Sequence, residues 1–441
     1  MDHTDDIDFR RDNRRDSSDA ISIVQRGNLK LLEATLRKQW RLGQNIVLCW
    51  SPDERGMLVI FVPHYYLGNY CAEAGQSGEK SHENESFVQH LISGERCKER
   101  DELFEIAKRL RVSPTFVKLN TALTEEPGVV NAVEQLIKRY GLSYVDQRAV
   151  LLFDIAQFSL YTPFEQASQL NSLSYSMNSA YNKLLGQGIE INFSRTTTGD
   201  GYYVWNRDFT PFASMDLFCF MLLVVADNAA ARAASKGNTV PVIRTGFHIG
   251  SHYELYQAEG VNPTVFSYIV GDVTIELARM VDLAKPHQIL VGDFKARLPG
   301  RDQSDIPHNV DSQGFVQACV RELDTLVGTQ LAGKPVQEFH CALSGTGDNG
   351  QSAPRKIQIV DKHGLSRYAF NLELGIVLEG QALSLGLGVD QLPAQGETAV
   401  KSESSSVIDR QQPPPARSTD ELIDELSSIL QKRVGSSSRE N

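Results

Sequence analysis

The sequence has few of the features that mark a secreted, disulfide-bonded or zinc-binding protein. Its six cysteines are scattered along 441 residues with no Cys-x-x-Cys pair, so we expect reduced thiols in a cytoplasmic protein. Basic residues are in deficit, since 44 Lys and Arg stand against 55 Asp and Glu, a formal net charge of −11. Nucleic-acid binders usually carry a basic surface, and we therefore expect no nucleic-acid partner.

Long apolar runs are also missing. The most apolar stretch, LFCFMLLVVA from Leu217 to Ala226, is shorter than the roughly 20 residues that cross a bilayer. We interpret it as a buried helix and expect no membrane span. The N-terminal stretch MDHTDDIDFRRDNRRDSSDA is charged throughout, which is not typical of a signal peptide. The composition, 41% hydrophobic and 22% charged, is that of a soluble globular protein.

Changes in residue pattern divide the chain into four predicted parts. Residues 1–27 have few apolar side chains to bury and are predicted to be disordered. Residues 28–141 alternate helical and β-like patterns, which predicts an N-terminal α+β domain for regulation or dimerisation. Residues 142–390 form the third part, with a Gly-, Asp-, Ser- and Gln-rich insertion at about 299–354. The fourth part, residues 391–441, is predicted to be a flexible tail.

Three smaller features allow more than one interpretation. The capped amphipathic segment 418–434 in the tail is either a short helix that docks on a protein partner or a marginal helix in a disordered region. Residues 106–119 resemble a helix-turn-helix, but the acidic chain favours an ordinary helical hairpin. His248 stands alone in a strand pattern, which favours a core or edge histidine.

The third part shows a regular succession of strand and helix patterns. AVLLFDIAQF, from Ala149, begins as a continuous apolar run, which is typical of a strand buried on both faces. A helical pattern starts at Pro163. IEINFSR and YYVWN then flank a Gly-Asp-Gly turn, which predicts a β-hairpin. An Ala-rich helix, two β-like segments, another helix and a final strand follow, and the β-α-β-β-α-β-β-α-β order predicts an α+β, ferredoxin-like arrangement.

Two aspartates hold special places in this pattern. Asp154 stands at the end of the buried strand, and Asp200 stands at the tip of the hairpin. If the hairpin lies beside the strand, two carboxylates converge at one edge and offer the oxygen ligands that Mg²⁺ takes together with phosphate oxygens. The alternative is one helix-capping aspartate and one turn aspartate, and spacing alone favours this simpler interpretation.

Four stretches follow one another in register: LLFDIAQFS, TTTGDGYYVW, VIRTGFHIGS, and YIVGDVTIELARM with PHQILVG. Together they resemble the class III adenylate/guanylate cyclase catalytic domain over about residues 149–293. The resemblance implies a ferredoxin-like core and a head-to-tail homodimer with active sites at the interface. It also implies conversion of a nucleoside triphosphate to a 3′,5′-cyclic nucleotide and pyrophosphate. Asp154 and Asp200 would then hold two Mg²⁺ or Mn²⁺ ions, and Arg279 would stabilise charge on the α-phosphate.

The resemblance assigns substrate-binding positions as well. Backbone N–H groups of residues 156–159, at the start of the next helix, would cradle phosphate oxygens, and the hairpin glycines would let the backbone approach phosphate. The base-reading positions of the family fall on Thr196 and Tyr268, and its ribose-positioning Asn falls on Ile275. The predicted substrate-binding residues are Phe158, Ser159, Thr196, Gly199 and Tyr268. Arg195, next to Thr196, would be a base reader only if one purine were strongly preferred. The closing phosphate-binding lysine of the family is not placed, and Lys356 and Lys362 are candidates for it.

The sequence therefore predicts a cytoplasmic class III nucleotidyl cyclase that acts in intracellular signalling as a homodimer. The alternative is a degenerate cyclase domain that serves as a nucleotide-binding or protein-interaction module. Retention of Asp154, Asp200 and Arg279 favours the enzyme, whereas Thr196 and Ile275 favour the alternative. The base remains open between ATP, GTP and a pyrimidine triphosphate.

Overall fold

The N-terminal elements combine a small antiparallel sheet with helices. The computed structural model describes residues 21–72, 78–259, 262–300, 307–345, 354–360, 364–388 and 391–392. Strand order in the small sheet is β1-β2-β3. The first elements are α1 (Ile23–Trp40), β1 (Asn45–Asp53), β2 (Gly56–Pro63), α2 (Tyr66–Ala72), α3 (Gly78–Ser93), α4 (Arg100–Arg109), β3 (Thr115–Lys118) and α5 (Pro127–Arg139).

The first helix starts earlier than the sequence pattern indicated. It begins at Ile23 rather than at Asn28, because the Ser22 side chain accepts a hydrogen bond from the backbone N–H of Gln25 and caps the helix. Predicted disorder up to residue 27 was thus wrong for the first turn of α1. Residues 1–20 and the predicted tail helix at 418–434 lie outside the described residues. Residues 1–400 cluster as one unit by contact, and the domain boundary at residue 141 stays a prediction.

The segment 106–119 is neither a helix-turn-helix nor a helical hairpin. Helix α4 ends at Arg109, and Thr115–Lys118 forms strand β3, which pairs with β2. Arg111 adopts a left-handed conformation with φ 53°, which turns the chain out of the helix. The β-branched and aromatic residues of TFVK then favour an edge strand, and Val117 is buried in it.

A larger sheet follows and holds the predicted strand succession. Its central order is β9-β7-β4-β6-β5; β4 pairs antiparallel with both β6 and β7, β5 pairs antiparallel with β6, and β9 runs parallel to β7. Helices α6 and α7 contribute to the main core on one face, and α8 packs on the other. The elements are β4 (Leu142–Ile155), a 3₁₀ turn (Phe158–Leu160), α6 (Pro163–Gly186), β5 (Phe193–Thr197), β6 (Gly201–Asn206), α7 (Ala213–Ala234), β7 (Ile243–Glu259), β8 (Asn262–Val270), α8 (Asp272–Leu283) and β9 (Ile289–Gly292).

The region predicted as an insertion contributes to this sheet. Strand β13 pairs with β15, and Phe315 of α9 is buried in the main core. The alternation of VQEFHCAL is a strand signal that the surrounding Gly, Asp and Ser residues hid. The remaining elements are β10 (Lys295–Leu298), β11 (His308–Asp311), α9 (Ser312–Glu322), a 3₁₀ turn (Leu323–Leu326), β12 (Gln330–Leu331), β13 (Lys334–Leu343), β14 (Lys356–Val360), β15 (Ser366–Leu378) and β16 (Gln381–Leu385).

Helix α7 is the apolar helix that the sequence indicated. It spans Ala213–Ala234, so by length and composition alone this 22-residue helix could cross a membrane. Its residues from Leu217 to Val224 are almost completely buried between strands and neighbouring helices. Such burial is that of a core helix.

His248 is a core histidine on β7, packed against Gly292 and Phe294. Burial disfavours the charged ring and lowers the pKa of His248 to about 4. The unfolded state binds a proton at His248 more readily than the folded state does. The stabilisation that neutral His248 contributes is therefore complete near neutral pH and is lost as the pH falls from about 6.5 toward 4. The loss should be about 3 kcal/mol.

Urea unfolding at pH 7 and pH 4 should therefore show a smaller acid loss in His248→Gln than in the wild type. His252, also buried with its pKa lowered to about 4, and carboxylates with a lowered pKa, such as Glu254, remain in both proteins and contribute to the residual loss. An identical pH dependence in the variant would show that His248 is not buried in the neutral form.

Candidate functional site

The β5–β6 hairpin lies beside the end of β4. Asp154 stands directly opposite Gly201 in the strand register, and the Ile155 N–H donates to the Asp200 carbonyl at 2.9 Å. The two aspartates that the sequence singled out therefore meet at one place in the sheet. This is the arrangement that the metal-site hypothesis requires.

The glycines of the turn have two different roles. A Cβ on Gly201 would lie 1.9 Å from the Phe153 carbonyl oxygen, so glycine is needed there for the approach of β6 to β4. Gly199 has φ +100°, and a Cβ there would meet nothing within 4 Å. Gly199 thus supplies the left-handed turn and leaves open space in front of the backbone, whereas Gly201 serves strand packing rather than phosphate approach.

Arg244, which the sequence reasoning did not single out, is ion-paired with Asp154. It lies opposite Asp154 on β7, and its Nε donates to Asp154 Oδ2 at 2.7 Å while Nη2 donates to the same oxygen. The other carboxylate oxygen, Asp154 Oδ1, accepts neither of these two hydrogen bonds. A signal was present in VIRTGFHIG, where one arginine interrupts an otherwise uncharged strand beside the strand of Asp154.

The electrostatics of Asp154 favour the arrival of positive charge. Burial raises the pKa of Asp154, and the negative charges of Asp200 and Asp282 raise it further, while Arg244 acts in the opposite direction. A partly buried carboxylate with like-charged neighbours is stabilised by a bound cation. Asp282 lies on α8, so this helix contributes to the field at the strand end.

The turn after β4 offers fewer phosphate-binding groups than predicted. The Ala156 N–H donates to the Val242 carbonyl at 2.9 Å and is therefore already used. Gln157 has a left-handed backbone with φ 58°, and the 3₁₀ turn that follows contains half-buried Phe158 and exposed Ser159. The predicted range 156–159 therefore shrinks to residues 157–159, because the Ala156 N–H is hydrogen-bonded within the protein and cannot donate to phosphate.

Thr196 and Arg195 lie on opposite faces of the sheet. Thr196 stands opposite Tyr203, whose hydroxyl donates to the Thr274 carbonyl of α8 at 2.9 Å. Arg195 stands opposite Val204, a residue of the core formed with α6 and α7. Directly opposed residues share a face, so Thr196 lies on the face of Asp154 and Arg195 does not.

The residues of the second half of the predicted site lie on β8 and α8 and are at least partly exposed. Tyr268 is 37% exposed and Ile275 is 46% exposed. Arg279 follows Ile275 by four residues on the same stripe of α8 and is half-buried. The other stripe of α8, which packs on the sheet face bearing Asp154, is formed by Val273, Leu277 and Val281.

One copy of the chain does not assemble the whole predicted constellation. Among the described residues, no salt bridge joins Arg279 to Asp154 or Asp200. Lys356, one candidate for the phosphate-binding lysine, is ion-paired with Asp293 at 2.7 Å. The other candidate, Lys362, lies outside the described residues.

The aspartate pair suits metal ions that arrive with a phosphate ligand. Within the described ranges, no three His, Cys, Asp or Glu side chains are grouped so that they could hold a metal ion alone. Mg²⁺ commonly binds through one or two carboxylates together with substrate phosphates and water. Asp200 and Oδ1 of Asp154 provide that minimal set, so the residues fit a metal–triphosphate complex.

The sequence matches no family model and no curated protein. Among solved structures it is similar to the guanylate cyclase domain of RhGC from Catenaria anguillulae in complex with GTP (13% identity, 54% of this chain and 98% of that chain, TM-score 0.31). It is also similar to the guanylyl cyclase Cya2 (13%, 51% and 91%, 0.30) and to the adenylyl cyclase CyaB from P. aeruginosa (11%, 52% and 95%, 0.30). These neighbours are nucleotidyl cyclases, but likeness at such scores does not decide what this chain does.

Proposed function

We propose that the chain is a class III nucleotidyl cyclase with a ferredoxin-like core, acting on a nucleoside triphosphate in the cytoplasm. The observation that carries the proposal is the meeting of Asp154 and Asp200 where the hairpin lies beside the end of β4. The two aspartates lie on β4 and on the β5–β6 turn, in the part of the sheet where the strand order is β7-β4-β6-β5. Together with Arg279 and the motifs around it, this pair provides the groups that cyclisation of a triphosphate needs.

Each residue has a proposed role in the reaction. Asp154 and Asp200 would hold two Mg²⁺ or Mn²⁺ ions; such ions acidify a bound hydroxyl and neutralise phosphate charge. The backbone at Gly199 and residues 157–159 would position the triphosphate. The ribose 3′-hydroxyl would lose its proton to solvent. Its oxygen would bond to the α-phosphorus while the bond from that phosphorus to the departing pyrophosphate breaks. Arg279 would stabilise the negative charge that develops on the α-phosphate.

Two copies of the chain would complete the site. The stripe with Arg279 lies on the outward side of α8 and includes Ile275, which is 46% exposed. On β8, Tyr268 and Val270 are also exposed, at 37% and 54%. An apolar patch of this kind is typical of an interface. In a C₂ dimer, Asp154 and Asp200 of one copy would face the partner subunit's Arg279, and two equivalent sites would result.

The test is a turnover assay with each of the four ribonucleoside triphosphates, in the presence of Mn²⁺ or Mg²⁺, with mass-spectrometric detection of cyclic products. The proposal expects a 3′,5′-cyclic nucleotide that disappears when the metal is chelated. Absence of cyclic product for every combination would contradict it.

The same assay should reveal loose base selection. Thr196 and Tyr268 offer no charged group to the base, and Tyr268 presents an exposed ring on which any base can stack. A site that mainly stacks rejects a wrong base weakly, so we expect kcat/KM for ATP and GTP within about tenfold of each other. A preference above about a thousandfold would show that hydrogen-bonding base readers exist elsewhere.

A degenerate domain that binds nucleotide without turnover is the second candidate. It is favoured by the exposed Ile275 at the ribose position and by Arg244, which is already bound to Asp154. The two candidates differ in one result. A degenerate domain binds a triphosphate with Mg²⁺ in calorimetry but yields no cyclic product, whereas the enzyme yields both signals.

A further inference from the structure

A cavity lies on the opposite side of the sheet from Asp154. Its volume is about 450 Å³, and it is bounded by α7, the starts of β7 and β9, and the β15–β16 hairpin. This size falls within the range of small-molecule sites. The apolar part of the wall is formed by Val225, Ala229, Ile243, Ile289 and Leu385.

Two residues that line this cavity, Arg232 and His287, have basic side chains, and Arg232 carries a positive charge. Arg232 and His287 are both exposed. Arg232 donates through Nη1 to the Val240 carbonyl at 3.1 Å. The other two guanidinium nitrogens take no part in this hydrogen bond. Partial burial of His287 lowers its pKa, and the positive charge of Arg232 lowers it further. The two side chains are therefore near each other. A negative charge at this rim would be favoured.

The wall also contains a buried amide whose hydrogen bonding is incomplete. Asn228 is 4% exposed and donates through Nδ2 to the Pro241 carbonyl at 3.0 Å. Its Oδ1 accepts no hydrogen bond from any described residue. This acceptor requires a hydrogen-bond donor, which water can supply and an ionised carboxylate cannot, so the charged group of a ligand would lie at Arg232 rather than here.

The cavity is connected to the Asp154 site through one strand. Ile243 and Thr245 line it, and Arg244 between them points to the other face, because side chains alternate along a strand. The backbone of this stretch is tied to the cavity rim, since the His287 N–H donates to the Ile243 carbonyl at 3.0 Å. A molecule in the cavity therefore contacts the residues that position the partner of Asp154.

We propose that this cavity is an effector site for a small amphipathic anion, with an apolar body in the cavity and a carboxylate at Arg232. Binding itself does not depend on the proposed function. An effect of the bound anion on turnover does depend on the proposed function, because that effect would act on Asp154 through Arg244.

Octanoate is the probe, with octanol as the uncharged molecule of matched length. Isothermal titration of the full chain, below the critical micelle concentration, should show one octanoate site. Octanol should bind about tenfold more weakly, since it lacks the charge that Arg232 recognises. Arg232→Gln should weaken octanoate binding about tenfold and leave octanol unchanged. Arg297→Gln, an exposed arginine outside this cavity, is the matched control and should leave both affinities unchanged.

Ala229→Phe fills the cavity and should abolish the binding of both molecules, with folding checked by circular dichroism. Arg232→Gln alters an exposed side chain, so it keeps the proposal testable if Ala229→Phe does not fold. Octanoate binding that is absent, or equal in the wild type and Arg232→Gln, would overturn the effector site. If binding behaves as expected but no triphosphate is cyclised, the cavity stands and the proposed function fails.

Discussion

Replacing Asp154 or Asp200 by Asn should reduce metal-dependent turnover at least about a hundredfold, because each change removes a charge from a site that would hold divalent ions beside phosphate. The two carboxylates meet at the strand end through the register of β4 with β6. Titration with Mn²⁺ in the presence of a triphosphate analogue should show weaker metal binding in both variants. This readout does not depend on turnover.

The comparison needs a control for charge and for folding. Asp53→Asn also removes a carboxylate, but Asp53 pairs with Arg100 in the N-terminal part, away from the hairpin, so its rate should equal that of the wild type. Thermal unfolding should show that Asp154→Asn keeps its fold, although Arg244 loses its ionised partner. Wild-type turnover in both Asp154→Asn and Asp200→Asn would exclude the two-metal assignment.

Mixing two inactive variants should restore part of the activity if the sites are composite. Asp154→Ala and Arg279→Ala change groups that lie on different surfaces of one chain, one beside the hairpin and one on the outward stripe of α8. In a heterodimer, one site carries both lesions and the other carries neither. With random exchange, an equal mixture should recover about a quarter of the wild-type rate.

The matched control is a mixture of Asp154→Ala with Asp200→Ala. Both lesions then fall on the same half of the site, so every site in the heterodimer carries one lesion and the mixture should stay inactive. Recovered activity should fall on dilution below the dimer dissociation constant. If the first mixture remains inactive while subunit exchange is demonstrated by mass spectrometry of differently labelled chains, the composite site is wrong.

The part of the fold that follows from local pattern could be predicted from the sequence. The apolar run at Ala149, the Gly-Asp-Gly turn and the apolar α7 correspond to β4, the β5–β6 hairpin and a core helix. Strand β3 was not predicted, because TFVK has only four residues and is separated by only five residues from α4, which ends at Arg109. Pairing with β2 supplies its stability, and a pairing partner distant in sequence leaves no local signal.

The candidate site, like the fold, could be predicted from the sequence only in part. The position of Asp200 beside Asp154 depends on strand register, which the hairpin pattern allowed but did not fix. The Arg244–Asp154 pair joins residues 90 positions apart, and the use of the Ala156 N–H by Val242 is a long-range backbone contact. Neighbouring residues on a strand face opposite ways, so Arg195 and Thr196 lie on different faces of the sheet. Only the register showed which face belongs to the site.

The central claim is that the Asp154–Asp200 pair catalyses cyclisation, and simultaneous measurement of both products tests it most directly. Purified protein is incubated with a ribonucleoside triphosphate and Mn²⁺, and cyclic nucleotide and pyrophosphate are measured in the same sample. We predict 3′,5′-cyclic nucleotide and pyrophosphate in equal amounts, with both lost in Asp154→Asn and on chelation of the metal. Triphosphate binding without either product, under each base and each metal, would contradict the claim and identify the chain as a nucleotide-binding module.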